Sequence, residues 1–232
     1  PSDYPDKLLS ACENLGIPAQ EISPLDLLQK EPALSPRLTR AIQVPDGSLD
    51  PFRLIRANVE DAERHGAKFF PHWEVIEILK DRDFIKGVKV KDSRTGETIP
   101  IQSRFVINAG GIWAGKVARL AGASIDVLFS KGSLIVLSRR LVNTVINRCR
   151  PPSSGDILVP NGPALILGTT SKTVEEIENP VPDEEEVDLL ISEGEKMVPE
   201  VAFTRAIRAY AGVRRLMGAR EGQEDGRKIS RD

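Results

Sequence analysis

The 232 residues carry 32 Lys and Arg against 34 Asp and Glu, a formal net charge of -2, with 40% hydrophobic and 28% charged residues. Those proportions exclude a disordered or collagen-like chain and suit one long enough to bury a core. The near-neutral balance offers no electrostatic case for nucleic acid as a partner, and no apolar run approaches the roughly 20 residues that cross a bilayer.

The opening residues, Pro1-Ser2-Asp3-Tyr4-Pro5-Asp6, lack the basic start and apolar stretch of a signal peptide. A first helix is predicted over Pro5 to Asn14, where Leu8, Leu9 and Cys12 recur at helical spacing and Gly16 follows. Prolines 18, 24, 32 and 36 then break the chain, leaving room for one short helix near Leu25 to Gln29. Asp50 is placed to cap a helix that opens on Pro51, presents Leu54, Ile55, Val59 and Ala62, and closes at Gly66. Short β-type runs follow at Lys68 to Phe70, Val75 to Lys80 and Gly87 to Lys91, then a turn at Arg94-Thr95-Gly96. A longer strand, Ile99 to Asn108, runs into Ala109-Gly110-Gly111 and a helix near Ile112-Trp113, a strand–glycine–helix unit of α/β type.

After about Gly122 the pattern changes to strands with short connections: Gly132 to Ser138, Asp156 to Pro160 and Ala164 to Thr169, with Asn161-Gly162 as a hairpin turn. A helix with a Val187, Leu190, Ile191 and Met197 stripe spans Glu184 to Met197, and a last strand spans Arg205 to Arg214. This half reads as an antiparallel sheet with a covering helix, α+β beside the α/β part.

Chemistry is suggested at few places. The run Asn108-Ala109-Gly110-Gly111-Ile112-Trp113 lets a flat or anionic ligand approach the backbone, though it is not G-x-G-x-x-G and serves equally as a plain tight turn. On the last strand, period-two alternation sends Ile207, Ala209, Ala211 and Val213 to one face, which should pack. It sends Arg208, Tyr210, Gly212 and Arg214 to the other. Guanidinium forks there match phosphate or carboxylate oxygens, or form a solvated edge. Lys131-Gly132-Ser133 puts a lysine on a glycine turn, able to hold an anion or to stand in solvent. The basic stretch from Arg139-Arg140 through Arg148 and Arg150 reads as a solvated face. Cys12 and Cys149 form no metal spacing, and two cysteines alone fit a reducing, cytoplasmic setting. His65 suits a helix C-terminus, and neither it nor His72 stands in a triad pattern.

Several of these segments together resemble the FAD-dependent glycerol-3-phosphate dehydrogenases. They are Val44 to Leu54, Val106 to Trp113, Lys131-Gly132-Ser133-Leu134, Asp156 to Pro160, Leu167 to Ser171 and Tyr210-Ala211-Gly212-Val213-Arg214. Val145-Ile146-Asn147-Arg148-Cys149-Arg150 points to the anaerobic, quinone-linked branch. The resemblance implies a D-amino-acid-oxidase-like fold: an incomplete Rossmann-like, glutathione-reductase-type FAD part over 51–122, and an antiparallel-sheet substrate (cap) domain from 1–50 and 123–232. It implies an internal piece of a longer enzyme, since the family's first strand with G-x-G-x-x-G, its Gly-Gly-Lys segment and its cysteine-rich C-terminal domain are not in these residues. The piece alone is expected to be inactive and not to retain FAD.

Carried over by motif position, the resemblance implies that Arg214 and Arg231 bind the substrate phosphate or lie beside the reacting carbon, with Lys131, Thr169 and Tyr210 as site neighbours. Asn108, Ala109, Gly110, Gly111 and Trp113 would approach the flavin, and Val75 would meet the adenine side through its backbone. The implied reaction is oxidation of glycerol 3-phosphate to dihydroxyacetone phosphate. Electrons would pass to a quinone through partner subunits of a membrane-associated complex. Aerobic relatives carry a His after Lys-Gly-Ser; here that position is Leu134, so the motif names no catalytic base. Two alternatives stand beside this reading: a glycine- or sarcosine-oxidase type flavoenzyme of the same fold, and an anion-binding module with no redox role.

Overall fold

The computed structural model describes residues 3–125 and 127–217. The chain forms two compact units, one from residues up to Ser48 together with those from Leu128 onward, the other Leu49–Val127. In the first, α1 (Tyr4–Asn14), β1 (Gln20–Ile22), α2 (Pro24–Lys30) and β2 (Ala41–Gln43) follow in chain order. The antiparallel pair β1–β2 is an addition to the helix-only expectation for this stretch. Ser23 caps α2, its hydroxyl accepting from the Asp26 N–H at 3.1 Å. Arg40 donates to Glu21 at 2.7 Å and to Asp6 at 2.9 Å, tying these pieces to one another.

The second unit opens with α3 (Pro51–Arg64), capped by Asp50, whose Oδ1 accepts from the N–H groups of Phe52 at 3.0 Å and Arg53 at 3.2 Å. None of its residues is buried among the described residues, so the expected apolar face stands uncovered there. His65 is the residue after the last turn, its Nδ1 2.9 Å from the Asp61 carbonyl oxygen. Next comes an antiparallel meander, β3 (Trp73–Asp81), β4 (Phe84–Asp92) and β5 (Thr98–Gln102). Lys68 to Phe70 is not a strand. The long strand expected to reach Asn108 stops at Gln102, because the ladder ends with Ser103 N–H donating to the Lys86 carbonyl at 2.9 Å. Beyond it no described strand offers its edge, and Phe105 and Ile107 stay 83% and 90% exposed. A single 3₁₀ turn, Gly111–Trp113, leads into α4 (Ala114–Leu120), which buries Ala114 and Ala118. The Lys116–Glu74 ion pair at 2.7 Å fastens α4 to β3.

The rest of the first unit is a six-stranded sheet of β6 (Val127–Leu137), β7 (Ile146–Asn147), β8 (Ile157–Asn161), β9 (Ala164–Gly168), β10 (Lys172–Val174) and β11 (Ala206–Met217). β9 and then β10 run antiparallel to β6, with residues 169–171 as the break between them, and β11 also pairs with β6. The β8–β9 hairpin turns at Asn161-Gly162, as its dipeptide predicts. Helix α5 (Glu184–Met197) carries a capping box between Asp183 and Glu186. Its Leu190 and Met197 bury against Ile135, Leu137, Leu158, Leu165 and Leu167, the centre of the core. Glu31, just past α2, is 1% exposed and accepts from the N–H groups of Asn143 and Thr144, both at 2.8 Å, which locks the early segment to the sheet.

Two expectations are revised here. Arg148 and Arg150 are not a solvated face: both pair with Glu193 on α5, and Arg150 also with Asp156 at 2.6 Å. Burial works to raise the Glu193 carboxyl, but hydrogen bonds from Lys196, Arg148 and Arg150 outweigh it and hold the group at about 2. The small face of β11 packs only toward its far end. Ile207 is 53% exposed and Ala209 is exposed, while Ala211 and Val213 are half-buried.

Candidate functional site

Alternation along β6 divides its side chains between two chemistries. Lys131, Ile135 and Leu137 face α5, while Gly132 and Leu134 face the other way, into a pocket of about 310 Å³. The remaining walls are Tyr210 to Arg214 of β11. Gly132 therefore sits in the middle of a strand, not on a turn. An added Cβ would stand 2.1 Å from Arg214 Nη2 and 2.8 Å from Thr169 Oγ1, so only glycine leaves the guanidinium its place.

Arg214 is half-buried at the pocket wall. Its Nη2 donates long hydrogen bonds to Thr169 Oγ1 at 3.5 Å and to the Thr170 carbonyl at 3.4 Å. Tyr210 lies on the same strand face, with the Arg208 guanidinium carbon 5.5 Å from its ring centroid. Of the expected substrate contacts, the structure thus brings Arg214, Thr169 and Tyr210 together, and Arg231 lies outside the described residues. Leu134 gives the pocket an apolar wall. Among the lining residues only Tyr210 and Arg214 have ionisable side chains. A half-buried guanidinium beside an open, otherwise apolar pocket can bind one phosphate or carboxylate group with two parallel donors.

Lys131 does not line this pocket. Its ammonium turns to the α5 side, 2.7 Å from Glu186 Oε2 and 3.4 Å from Asp183 Oδ2, and the side chain is only 12% exposed. Thr170 Oγ1 donates to Glu186 Oε1 at 2.6 Å and accepts from the Ser133 N–H at 2.9 Å. Burial acts to raise the Glu186 carboxyl, yet the bonds from Lys131 and Thr170 leave it lowered, so it is ionised at neutral pH. Asp183 is held well below the usual carboxylate range, first by Lys172 and then by the Glu186 backbone N–H. Sequence reasoning missed Thr170 and Glu186. Thr170 follows the flagged Thr169, but Glu186 looks like any acid in a first helical turn, and only the tertiary fold puts it behind the pocket.

In the second unit, the Asn108 to Trp113 turn is held by Asn108 itself. Its Oδ1 accepts from the Gly110 N–H at 3.1 Å and its Nδ2 donates to the Ala114 carbonyl at 2.9 Å. Gly111 takes φ +55°, a left-handed conformation that favours glycine. Ala109 is exposed and Gly110 half-exposed, so a planar group can reach this backbone with no more than a methyl in its way. Trp113 is half-exposed. Asn108 also borders a small pocket of about 100 Å³ with Ile78, Ile85 and Val106, of which Val75 is not a wall. Val75 sits opposite Val90 on β3, next to a bulge at Ile76. Burial pushes the half-buried Cys149 thiol up, the wrong direction for a nucleophile. Among the described residues no His, Cys, Asp and Glu cluster could hold a metal, and no helix is long and apolar enough to cross a membrane.

Residues 2–229 match the family described as DAO, FAD dependent oxidoreductase. The chain belongs to that family. It is 43% identical over 225 residues to one subunit of the anaerobic glycerol-3-phosphate dehydrogenase of Escherichia coli strain K12, covering 96% of this chain and 41% of that protein. It is 39% identical to one subunit of the anaerobic glycerol-3-phosphate dehydrogenase of Haloferax volcanii, covering 99% of this chain and 41% of that one. The chain therefore spans about two-fifths of the length of these relatives. Among solved structures, glycine oxidase from Bacillus cereus superposes with a TM-score of 0.74 at 20% identity, over 93% of this chain and 58% of that one. The glycerol-3-phosphate dehydrogenase of Bacillus halodurans, complexed with FAD, does so with 0.72 at 22% identity, over 86% and 44%. These likenesses establish the D-amino-acid-oxidase-like fold expected from the motifs.

Proposed function

We propose that this chain contributes substrate recognition to an enzyme that oxidises sn-glycerol 3-phosphate to dihydroxyacetone phosphate, with FAD as hydride acceptor. A quinone, reached through partner subunits on a membrane surface, takes the electrons last. In this reading the unit built on β6 and β11 is the substrate domain, and Leu49–Val127 belongs to the FAD domain. The names of the two dehydrogenase relatives support the substrate, and the observation that carries the proposal is the Arg214 guanidinium set into the pocket over Gly132.

Arg214 then clamps the substrate phosphate, with Thr169 orienting the guanidinium and Tyr210 bounding the site. Arg231 is a second phosphate contact in the same reading. Lys131 does not touch substrate and acts from behind the sheet. The Asn108 to Trp113 turn fits a flavin because the Asn108 side chain already braces it and Ala109, Gly110 and Gly111 offer a small surface. Those residues, with the Val75 backbone, would hold the cofactor. FAD, when bound, supplies the hydride acceptor. The protein's task is placement: fixing the phosphate fixes where the C2 carbon stands. Neither Leu134 nor the Arg214 guanidinium can take up the C2 hydroxyl proton, so the base is another group.

The test is steady-state oxidation of glycerol 3-phosphate by the intact gene product with an artificial electron acceptor, against glycine and sarcosine. Glycerol 3-phosphate should be the substrate, and Arg214→Ala should cost about 2–4 kcal/mol of transition-state stabilisation. Preference for glycine or sarcosine, or a change under about threefold in kcat/KM for Arg214→Ala, rejects the proposal.

A further inference from the structure

A buried ion pair is a poor device for stability. Apolar residues of similar volume are often as good or better in the same space. Lys131 and Glu186 nevertheless face each other at 2.7 Å with side chains 12% and 6% exposed, one residue along β6 from Gly132. Both oxygens of Glu186 have named partners: Oε2 takes Lys131 and Oε1 takes the Thr170 hydroxyl at 2.6 Å. While its O–H donates to Glu186, the Thr170 oxygen accepts from the Ser133 N–H at 2.9 Å, which fixes the rotor. Thr170 lies in the break between β9 and β10, and its carbonyl accepts from Arg214 Nη2 at 3.4 Å. A continuous path of bonds therefore joins the α5 face of the sheet to the guanidinium on the pocket face.

We propose that Glu186, held by Lys131, is a positioning residue that sets the Thr169-Thr170 segment and through it the aim of Arg214 into the pocket. The inference rests on the phosphate-binding role of Arg214. It adds that the anion site is defined from the far side of the sheet, by residues that never touch substrate.

The variants are Glu186→Gln, Thr170→Val and Thr170→Ser in the intact gene product, each alone and in the Arg214→Ala background, assayed with glycerol 3-phosphate. A guanidinium displaced by a fraction of an ångström should raise KM about tenfold in Glu186→Gln and Thr170→Val while kcat changes less than about twofold. Thr170→Ser keeps the hydroxyl and should stay within about twofold of the parent. In the Arg214→Ala background neither Glu186→Gln nor Thr170→Val should lower kcat/KM further, because the group they aim is gone. A merely structural role would instead lower the melting temperature with KM unmoved, or give the same loss in both backgrounds, and either result overturns the proposal. If Arg214→Ala is itself silent, the phosphate reading falls and this inference with it. If Arg214→Ala is damaging but Glu186→Gln and Thr170→Val are not, only the positioning role falls. Thr170→Val leaves the Lys131–Glu186 pair in place, so the test survives if Glu186→Gln fails to fold.

Discussion

Replacing Gly132 by alanine isolates the placement of Arg214 from the strength of the fold. The new methyl carbon would lie 2.1 Å from Arg214 Nη2 and 3.2 Å from its Cζ. Ordinary contact begins near about 3.5 Å, so the guanidinium must retreat by more than about 1 Å. The clashing atoms are the far end of the flexible Arg214 side chain and the Thr169 hydroxyl, 2.8 Å away, and Gly132 has no left-handed backbone to forbid alanine. In a strand, alanine is preferred over glycine by roughly 0.5–1 kcal/mol, so the fold should lose nothing. A misplacement of about 1 Å at a reacting site can cost on the order of 10²-fold, equal to about 2.7 kcal/mol in kcat/KM. Kinetics of glycerol 3-phosphate oxidation and a thermal melt of the same preparation give both numbers. A kcat/KM within about threefold of the parent would refute the placement reasoning, and a collapse of the melting temperature would refute the claim that only the Arg214 guanidinium and the Thr169 hydroxyl shift.

Two further predictions concern stability. Glu31→Ala strips Asn143 and Thr144 of a buried charged acceptor and should lower unfolding free energy by about 3 kcal/mol in urea, with Glu31→Gln less severe; a loss under about 0.5 kcal/mol would show the contact to be dispensable. Glu193, held at about 2 by Lys196, Arg148 and Arg150 against the effect of burial, contributes stability that is full above its unfolded value near about 4.3 and is lost as pH falls toward 2. Urea midpoints measured from pH 6 down to pH 3 should therefore fall more steeply for the parent than for Glu193→Gln; parallel curves would contradict the assignment.

Local pattern determined most of the secondary structure and the family. The Glu184–Met197 helix was legible from its acidic start and apolar stripe, the β8–β9 hairpin from Asn161-Gly162, and α3 from Asp50-Pro51, because caps, turns and periodicity are written within a few residues. The same alternation correctly put Tyr210 and Arg214 on one face of β11. What the chain could not declare by itself was partnership across distance. The stretch to Asn108 has the composition of a strand yet forms none past Gln102, since a strand exists only where another edge takes up its N–H and C=O groups. Lys131 stands in a motif suggestive of anion binding, but which face of β6 it occupies was settled by α5 bringing Glu186 over it. Even the need for glycine at 132 arises only when β11 lays Arg214 across that spot, 82 residues further along the chain.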